Sequence, residues 1–251
     1  MRIAVISDIH GNLPALDAVW ADIARRGADM VVNCGDILSG PLWPAETAER
    51  LMALDLPTVA GNHERQLLSC ASRDADSSGD GYAFAHTSAA QRAWLAALPT
   101  QLWLDEQVYV CHGRPDKDCE YLLETVDSGG SRPASAAEVA QRLAGTPGQG
   151  AALLLCGHSH LPRVLQLPTA ARTLCVNPGS VGLPAFDDDH LAYHVHQSGS
   201  PHARYALCES DPAGGWTLAL LAVSYDWQAA AAQAQRNGAA DWARWLSSGL
   251  A

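Results

Sequence analysis

Apolar residues gather in short runs along this chain, and most runs end abruptly in polar residues. Residues 3–6 form a continuous apolar stretch of the kind shown by a strand buried on both faces, followed by Ser7-Asp8-Ile9-His10-Gly11-Asn12. The next pattern is helical. Leu16, Val19, Trp20 and Ile23 have the spacing of one helix face, Pro14 suits the first turn and Gly27 the end. Residues 30–34 predict a second strand closed by Gly35-Asp36, Pro44 opens a helix to about Leu54, and residues 58–60 predict a third strand ending at Gly61-Asn62-His63-Glu64. This alternation predicts a parallel sheet with helices on its faces. Each polar motif then falls just past a strand's carboxyl end, where open α/β sheets bind ligands.

A helix is expected over 83–98, a strand over 108–111 ending at His112, and another over 153–156 ending at Gly157-His158-Ser159-His160. Residues 163–167 and 173–176 flank a short turn, and further strands are expected near 191–196, 204–207 and 216–223. This later half reads as a second, partly antiparallel sheet packed on the first. The tail from Asp226 reads as helical, broken at Asn237-Gly238. One domain over 1–251 is expected, with insertions near 72–81, 113–135 and 185–202 and a helical tail over 226–248. The small, polar 72–81 segment reads as a mobile loop.

Composition narrows the partners. With 16 basic against 27 acidic side chains the net charge is −11, which repels a polyanion and argues against duplex nucleic acid. A small phosphorylated substrate is not excluded, because bound dications reverse the local field. Hydrophobic residues make up 48% and charged residues 17%, as in ordinary globular proteins, and no run is long enough to span a membrane. The apolar residues 3–6 are too few for a signal peptide, so a cytoplasmic location is expected. The seven cysteines lack a Cys-x-x-Cys pair and read neither as a disulfide framework nor as a zinc ribbon. Cys34, Cys111, Cys156 and Cys175 end apolar runs and are expected to be buried thiols. Nothing in the sequence indicates an oligomeric state.

Five motifs end five predicted strands: Asp8-Ile9-His10, Gly35-Asp36, Gly61-Asn62-His63, His112-Gly113 and Gly157-His158-Ser159-His160. They supply two carboxylates, one amide and five imidazoles. One divalent ion cannot use so many ligands, but two ions sharing a bridging carboxylate can. Taken singly, each motif is more simply a polar strand end; the ordered set carries the argument. His86, His190, His194, His196 and His202 lie outside it. His194 and His196 share a strand face and could hold a further metal near Asp187-Asp188-Asp189, the simpler reading being a solvated hairpin.

The ordered set resembles the signature of the calcineurin-like metallophosphoesterases over residues 1 to about 183. The resemblance implies a four-layer α-β-β-α sandwich of two mixed sheets, with the metal site at the carboxyl ends of the strands. It implies that Asp8, His10 and His160 bind one metal, that Asn62, His112 and His158 bind the other, and that Asp36 bridges them. His63 resembles the family's catalytic histidine, placed to protonate the leaving oxygen or to stabilise charge in the transition state. The implied reaction is cleavage of a phosphodiester or phosphomonoester by a metal-bridging hydroxide. Manganese suits the mixed ligand set and is favoured over iron, zinc or nickel. His112-Gly113-Arg114-Pro115 and Asn177-Pro178-Gly179-Ser180-Val181-Gly182 are similar to a small bacterial phosphodiesterase-like branch, with Asn12 and Arg114 as candidate substrate contacts. The chain departs from that branch in Arg114, where serine is expected, and in the acidic run Asp187 to Asp189. Two alternatives stand beside this reading. One is a pyrophosphohydrolase acting on dinucleotide polyphosphates or nucleotide-linked lipids, gripping a second phosphate with Arg114, Lys117 and Arg132; the other is a non-catalytic scaffold that keeps the fold.

Overall fold

The computed structural model describes residues 1–70 and 79–251. The first half runs β1 (Arg2–Ile6), α1 (Leu13–Arg26), β2 (Met30–Asn33), α2 (Pro44–Leu54), α3 (Asn62–Ser69), α4 (Gly79–Ala85), α5 (Ala89–Ala96), β3 (Gln101–Trp103) and β4 (Val108–Cys111). Then follow β5 (Glu124–Asp127), β6 (Gly130–Pro133), α6 (Ala136–Leu143), β7 (Leu153–Leu155), β8 (Arg163–Gln166) and β9 (Leu174–Asn177). The chain closes with β10 (Ala185–Asp188), β11 (His194–Gln197), β12 (Ala203–Ser210), β13 (Trp216–Val223), α7 (Trp227–Arg236) and α8 (Ala240–Ser248).

Two mixed sheets carry the fold. One has the order β13-β12-β1-β2, with β1 parallel to β2 and antiparallel to β12. The other has the order β3-β4-β7-β9-β8, with β4, β7 and β9 parallel. Strand alternation sends β1 side chains to both faces. Ile3 and Val5 join Val108, Val110, Leu153 and Leu155 in the apolar layer between the sheets. Ala4 and Ile6 face the other way, onto Leu16, Val19 and Ile23 of α1. On the far side, Leu154, Cys156 and Cys175 of the second sheet pack on Val139 and Leu143 of α6. The layers are therefore α, β, β, α, as the resemblance implies.

Local chemistry sets the helix ends. Asn12 caps α1 by accepting the Ala15 N–H, Pro14 occupies the first turn, and Arg25 and Arg26 complement the dipole at the last. The single helix expected over 83–98 is two. Ser88 accepts the Gln91 N–H and the Gln91 side chain accepts the Ser88 N–H, a capping box that starts α5 afresh after α4. The strand expected over 58–60 reduces to one parallel bridge between Asn33 and Thr58, because the Ala60 N–H turns away to the Pro99 carbonyl. Division of the sheets by sequence half also fails. β12 and β13 return to β1, whereas β4 belongs to the second sheet.

Of the expected 72–81 loop, residues 72–78 lie outside the described residues, and Gly79 to Gly81 open α4. The 113–135 segment contains the β5–β6 hairpin and the 185–202 segment the β10–β11 hairpin. The tail breaks at Asn237-Gly238 as expected and docks through Trp245 on Leu183 and Ala185. No helix among the described residues is long and apolar enough to cross a membrane.

Glycine at 182 is required by a close approach, since a Cβ there would run into the Ile9 carbonyl and come within 2.9 Å of the Asn12 side chain. Gly182→Ala is expected to cost about 2 kcal/mol or more through this overpacking, lowering Tm by at least several degrees in a thermal melt. A variant melting with the parent protein would show that the approach of Ile9 and Gly182 is not rigid.

Candidate metal centre

The five polar motifs meet at the carboxyl ends of β1, β2, β4 and β7 and at the start of α3. Each strand ends in a sharp turn that redirects its side chains. Asp8, His10, Asp36, His158 and His160 all have left-handed backbone, with φ of 55°, 52°, 55°, 71° and 58°. Such conformations cost roughly 1–2 kcal/mol per L-residue, so surrounding bonds must hold them. They do. Asp8, Ile9 and His10 donate their backbone N–H groups to Gly35 and Asp36 carbonyls at 2.8–3.1 Å. The buried Glu64 carboxylate accepts the N–H groups of Asp36, Ile37 and Gly61 at 2.9, 2.8 and 2.7 Å, tying two motifs together. Ser180 donates to the Asp8 carbonyl at 2.7 Å and Asn177 to the Gly157 carbonyl at 2.6 Å, so the 177–182 segment straps a third motif to the first.

Two groups of ligand atoms result. Asp8, His10 and His160 offer atoms within 4.8 Å of one another, and so do Asp36, His112 and His158. Asn62 joins the second group, its Oδ1 lying 3.1 Å from His112 Nε2. Asp36 Oδ2 lies 2.9 Å from the same nitrogen, and Asp36 Oδ1 accepts the His63 N–H at 3.0 Å.

Proton placement shows what the groups fit. His10 Nδ1 lies 2.8 Å from the Ser39 carbonyl and His160 Nδ1 lies 2.8 Å from the Leu183 carbonyl, so each Nδ1 carries the proton. Burial pushes His10 down to about 4 and His160 well below the usual imidazole range, leaving both neutral. Their Nε2 lone pairs then face each other at 3.1 Å with no proton between them. That contact is repulsive unless a cation sits there. His158 Nε2 and Asp8 Oδ2 are likewise buried without a hydrogen-bond partner, and orphaned buried acceptors of this kind are expected of metal ligands. In the second group His112 Nδ1 lies 2.8 Å from the Cys34 carbonyl, which turns Nε2 to Asp36 and Asn62. Although burial opposes it, the Asp36 carboxylate raises His112 to about 10, so without a cation a proton occupies the place between them. Burial raises Asp8 to about 7. The donor set of carboxylate, amide and neutral imidazole fits divalent ions of the manganese to zinc series.

His63 stands beside both groups without joining either. Its ring is 5.4 Å from that of His10, and its Nδ1 pairs with Asp80 Oδ1 at 2.9 Å. Burial pushes His63 down, but Asp36 and Asp80 outweigh it and raise the imidazole to about 9. The two groups open into a cavity of about 880 Å³.

The expected substrate contacts lie elsewhere. Asn12 is fully buried, donating to the Gly182 carbonyl at 2.8 Å and to the Tyr225 hydroxyl at 3.1 Å while capping α1. Arg114 pairs with Glu120 at 2.6 Å and Asp116 at 2.9 Å and does not line the cavity. His194 and His196 form no metal group among the described residues, nor are they solvated. Both are buried, with His194 Nε2 2.9 Å from the Tyr121 hydroxyl and His196 Nε2 2.7 Å from Ser131 Oγ. Sequence reasoning assigned no role to Glu64, Asp80, Trp242 or Trp245. Glu64 had a signal, since acid at the third position of a helix suits a capping box; the others had none.

Such a sandwich, with paired clusters of buried ligands at its strand ends, defines the class of the metallophosphoesterases. The chain belongs to the calcineurin-like phosphoesterase superfamily, whose domain model matches residues 1–199. It is similar to an uncharacterized protein of Methanocaldococcus jannaschii, MJ0912, at 44% identity over 72 residues, 29% of this chain and 30% of that one. It is 38% identical over 77 residues to phosphodiesterase YfcE of Escherichia coli K12, covering 27% of this chain and 42% of the relative. The matched segments thus span less than half of either curated relative. A crystal structure of a metallophosphoesterase from Sphaerobacter thermophilus superposes over 100% of both chains with a TM-score of 0.76 at 25% identity.

If cations relieve the buried lone pairs, they must stabilise the fold. Manganese at a hundredfold excess over Kd should add about 2.7 kcal/mol for one site, raising Tm by roughly 5–10 °C over chelated protein. An unchanged melt would argue that nothing binds.

Proposed function

We propose that this chain is a metal-dependent phosphoesterase, hydrolysing a phosphodiester or phosphomonoester at a centre of two divalent ions. In this reading Asp8, His10 and His160 hold one ion, Asn62, His112 and His158 the other, and Asp36 lies between them. The observation that carries it is the pair of His10 and His160 Nε2 atoms face to face at 3.1 Å in a buried cleft, each ring's Nδ1 being held by a backbone carbonyl. Bound there, two such ions, manganese being favoured, would supply an acidified water near neutral pH and neutralise the phosphoryl oxygens. The remaining work falls to side chains. Asp80 holds His63 Nδ1, which leaves the Nε2 proton for the leaving oxygen and fixes the ring's direction. Residues 1–251 act as one domain, the β10–β11 hairpin and the tail supplying walls to the site.

The pyrophosphohydrolase reading finds no support in the cations named for it. Arg114 is engaged by Asp116 and Glu120, Lys117 by Glu120, and Arg132 by Asp127 and Glu138. No Lys or Arg is among the described residues lining the cavity. The non-catalytic reading must explain why the whole ligand set and His63 converge.

Asp36→Asn should lose both metals by elemental analysis and nearly all turnover, whereas His160→Ala should lose mainly one metal. Retention of two tightly bound ions in Asp36→Asn would show that Asp36 is not shared.

His63→Ala separates proton transfer from binding. With metal content unchanged, kcat on an alkyl phosphodiester should fall by about 10² to 10⁴, and on a p-nitrophenyl ester by much less, because p-nitrophenolate leaves without a proton. An equal fall on both esters would favour charge stabilisation by His63, and a loss of metal would make it a ligand.

A further inference from the structure

Beyond the ligand groups, the cavity wall is aromatic and acidic. Trp242 of α8 meets the His10 ring edge-on at 5.9 Å, Phe186 of β10 meets His160 at 4.6 Å, and Tyr121 lies against His158 at 4.6 Å. Each of three candidate ligand imidazoles therefore has an aromatic ring against it. Gly40 admits the first of these rings, since a Cβ there would come within 2.7 Å of Trp242. Trp245 continues the wall; it is only 8% exposed, yet its indole N–H is buried without a hydrogen-bond partner. Next to this wall, the β10–β11 hairpin presents Asp187, Asp188 and Asp189 to the cavity. Asp187 and Asp189 are exposed, and Asp188 is half-buried.

The chemistry of such a wall is selective. Metal ions would attract the phosphoryl group, but three carboxylates, with no Lys or Arg among the described lining residues, repel a second phosphate and attract positive charge. Aromatic rings within about 6 Å of an ammonium group add a cation–π attraction, and they also cover its methyl or methylene groups. Both tryptophans come from residues beyond the matched family domain, which ends at 199. The wall is thus built jointly by the tail, which lies outside the matched domain, and by the β10–β11 hairpin, which lies inside it.

We propose that the site takes phosphoesters bearing an ammonium group, with the cation held between Trp242, Trp245 and Phe186 and the Asp187–Asp189 rim. This rests on the phosphoesterase reading for the phosphoryl end of the substrate, and the test keeps the two apart. The manganese-loaded protein is assayed on p-nitrophenyl phosphorylcholine, p-nitrophenyl phosphorylethanolamine and ethyl p-nitrophenyl phosphate, which share one leaving group and differ in the other substituent. At least one ammonium ester should exceed the ethyl ester about tenfold or more in kcat/KM. In Asp187→Asn/Asp189→Asn, and separately in Trp242→Ala, that ratio should fall towards one. The choline and ethanolamine arms tell a quaternary from a primary ammonium. Equal or lower kcat/KM for both ammonium esters in the parent protein overturns the proposal, as does a ratio unmoved by either variant. If no ester is cleaved with any divalent metal, the phosphoesterase reading fails and tryptophan fluorescence decides the cation site alone. Saturable quenching by tetramethylammonium, lost in the Asp187→Asn/Asp189→Asn protein, supports the site; a linear response equal in both proteins overturns it.

Discussion

Neutral imidazoles are good ligands only if something else holds their protons. Here backbone carbonyls of Ser39, Leu183 and Cys34 each accept from one ring nitrogen of His10, His160 and His112, which turns the other nitrogen inward. The result is a buried cleft where acceptors face acceptors. Such a concentration of lone pairs is unfavourable without positive charge, and protons can answer it only in part, because burial keeps His10 and His160 neutral. The strand-end turns, the strained backbone and the glycines at close approaches all serve this one arrangement.

Holding it requires redundancy. Five left-handed residues in one cleft would relax if their flanking turns were free. Glu64 prevents this from below by binding three backbone N–H groups of two motifs, and the 177–182 segment prevents it from above by strapping the Asp8 and Gly157 turns. Glu64 is itself a buried carboxylate, raised from its ordinary range by burial while those N–H bonds oppose the rise. A charge so placed is tolerated because its acceptor capacity is met. Rigidity of the two β-sheets does the rest, since the apolar layer between them leaves the strand ends little freedom to shift.

Charge is distributed with equal economy. Among the described residues, basic side chains near the cleft pair with neighbouring carboxylates, as in Arg65 with Asp118 and Arg114 with Glu120, which leaves the raised imidazoles of His63 and His112 and any bound cations as sources of positive charge at the centre. On the proposed reading, cations held there would let a protein of net charge −11 take a phosphoryl group. The same scarcity gives the outer cavity its acidic and aromatic character, which the tail and the β10–β11 hairpin build together.

Much of this was legible in the chain itself. Apolar runs ending in polar motifs marked β1, β2, β4 and β7, strand ends in such sheets face one edge, and the family resemblance of those motifs implied the two candidate ligand groups that the fold brings together. Pro44 and Asn237-Gly238 marked helix boundaries for local steric reasons that need no partner. What stayed hidden depended on distant segments. Sheet membership of β12 and β13 follows from which edge of β1 is open, and no local pattern encodes that. Asp80 becomes the partner of His63 only because α4 packs against α3. Arg114 looked available for phosphate until Asp116 and Glu120 folded around it, and Trp242 reached the His10 ring only through the docking of α8. Sequence alone therefore determined the candidate ligand types and their places at the strand ends, since those depend on short-range periodicity. The tertiary structure decided which charges remain free and what walls the cavity, because both depend on contacts between residues far apart in the chain.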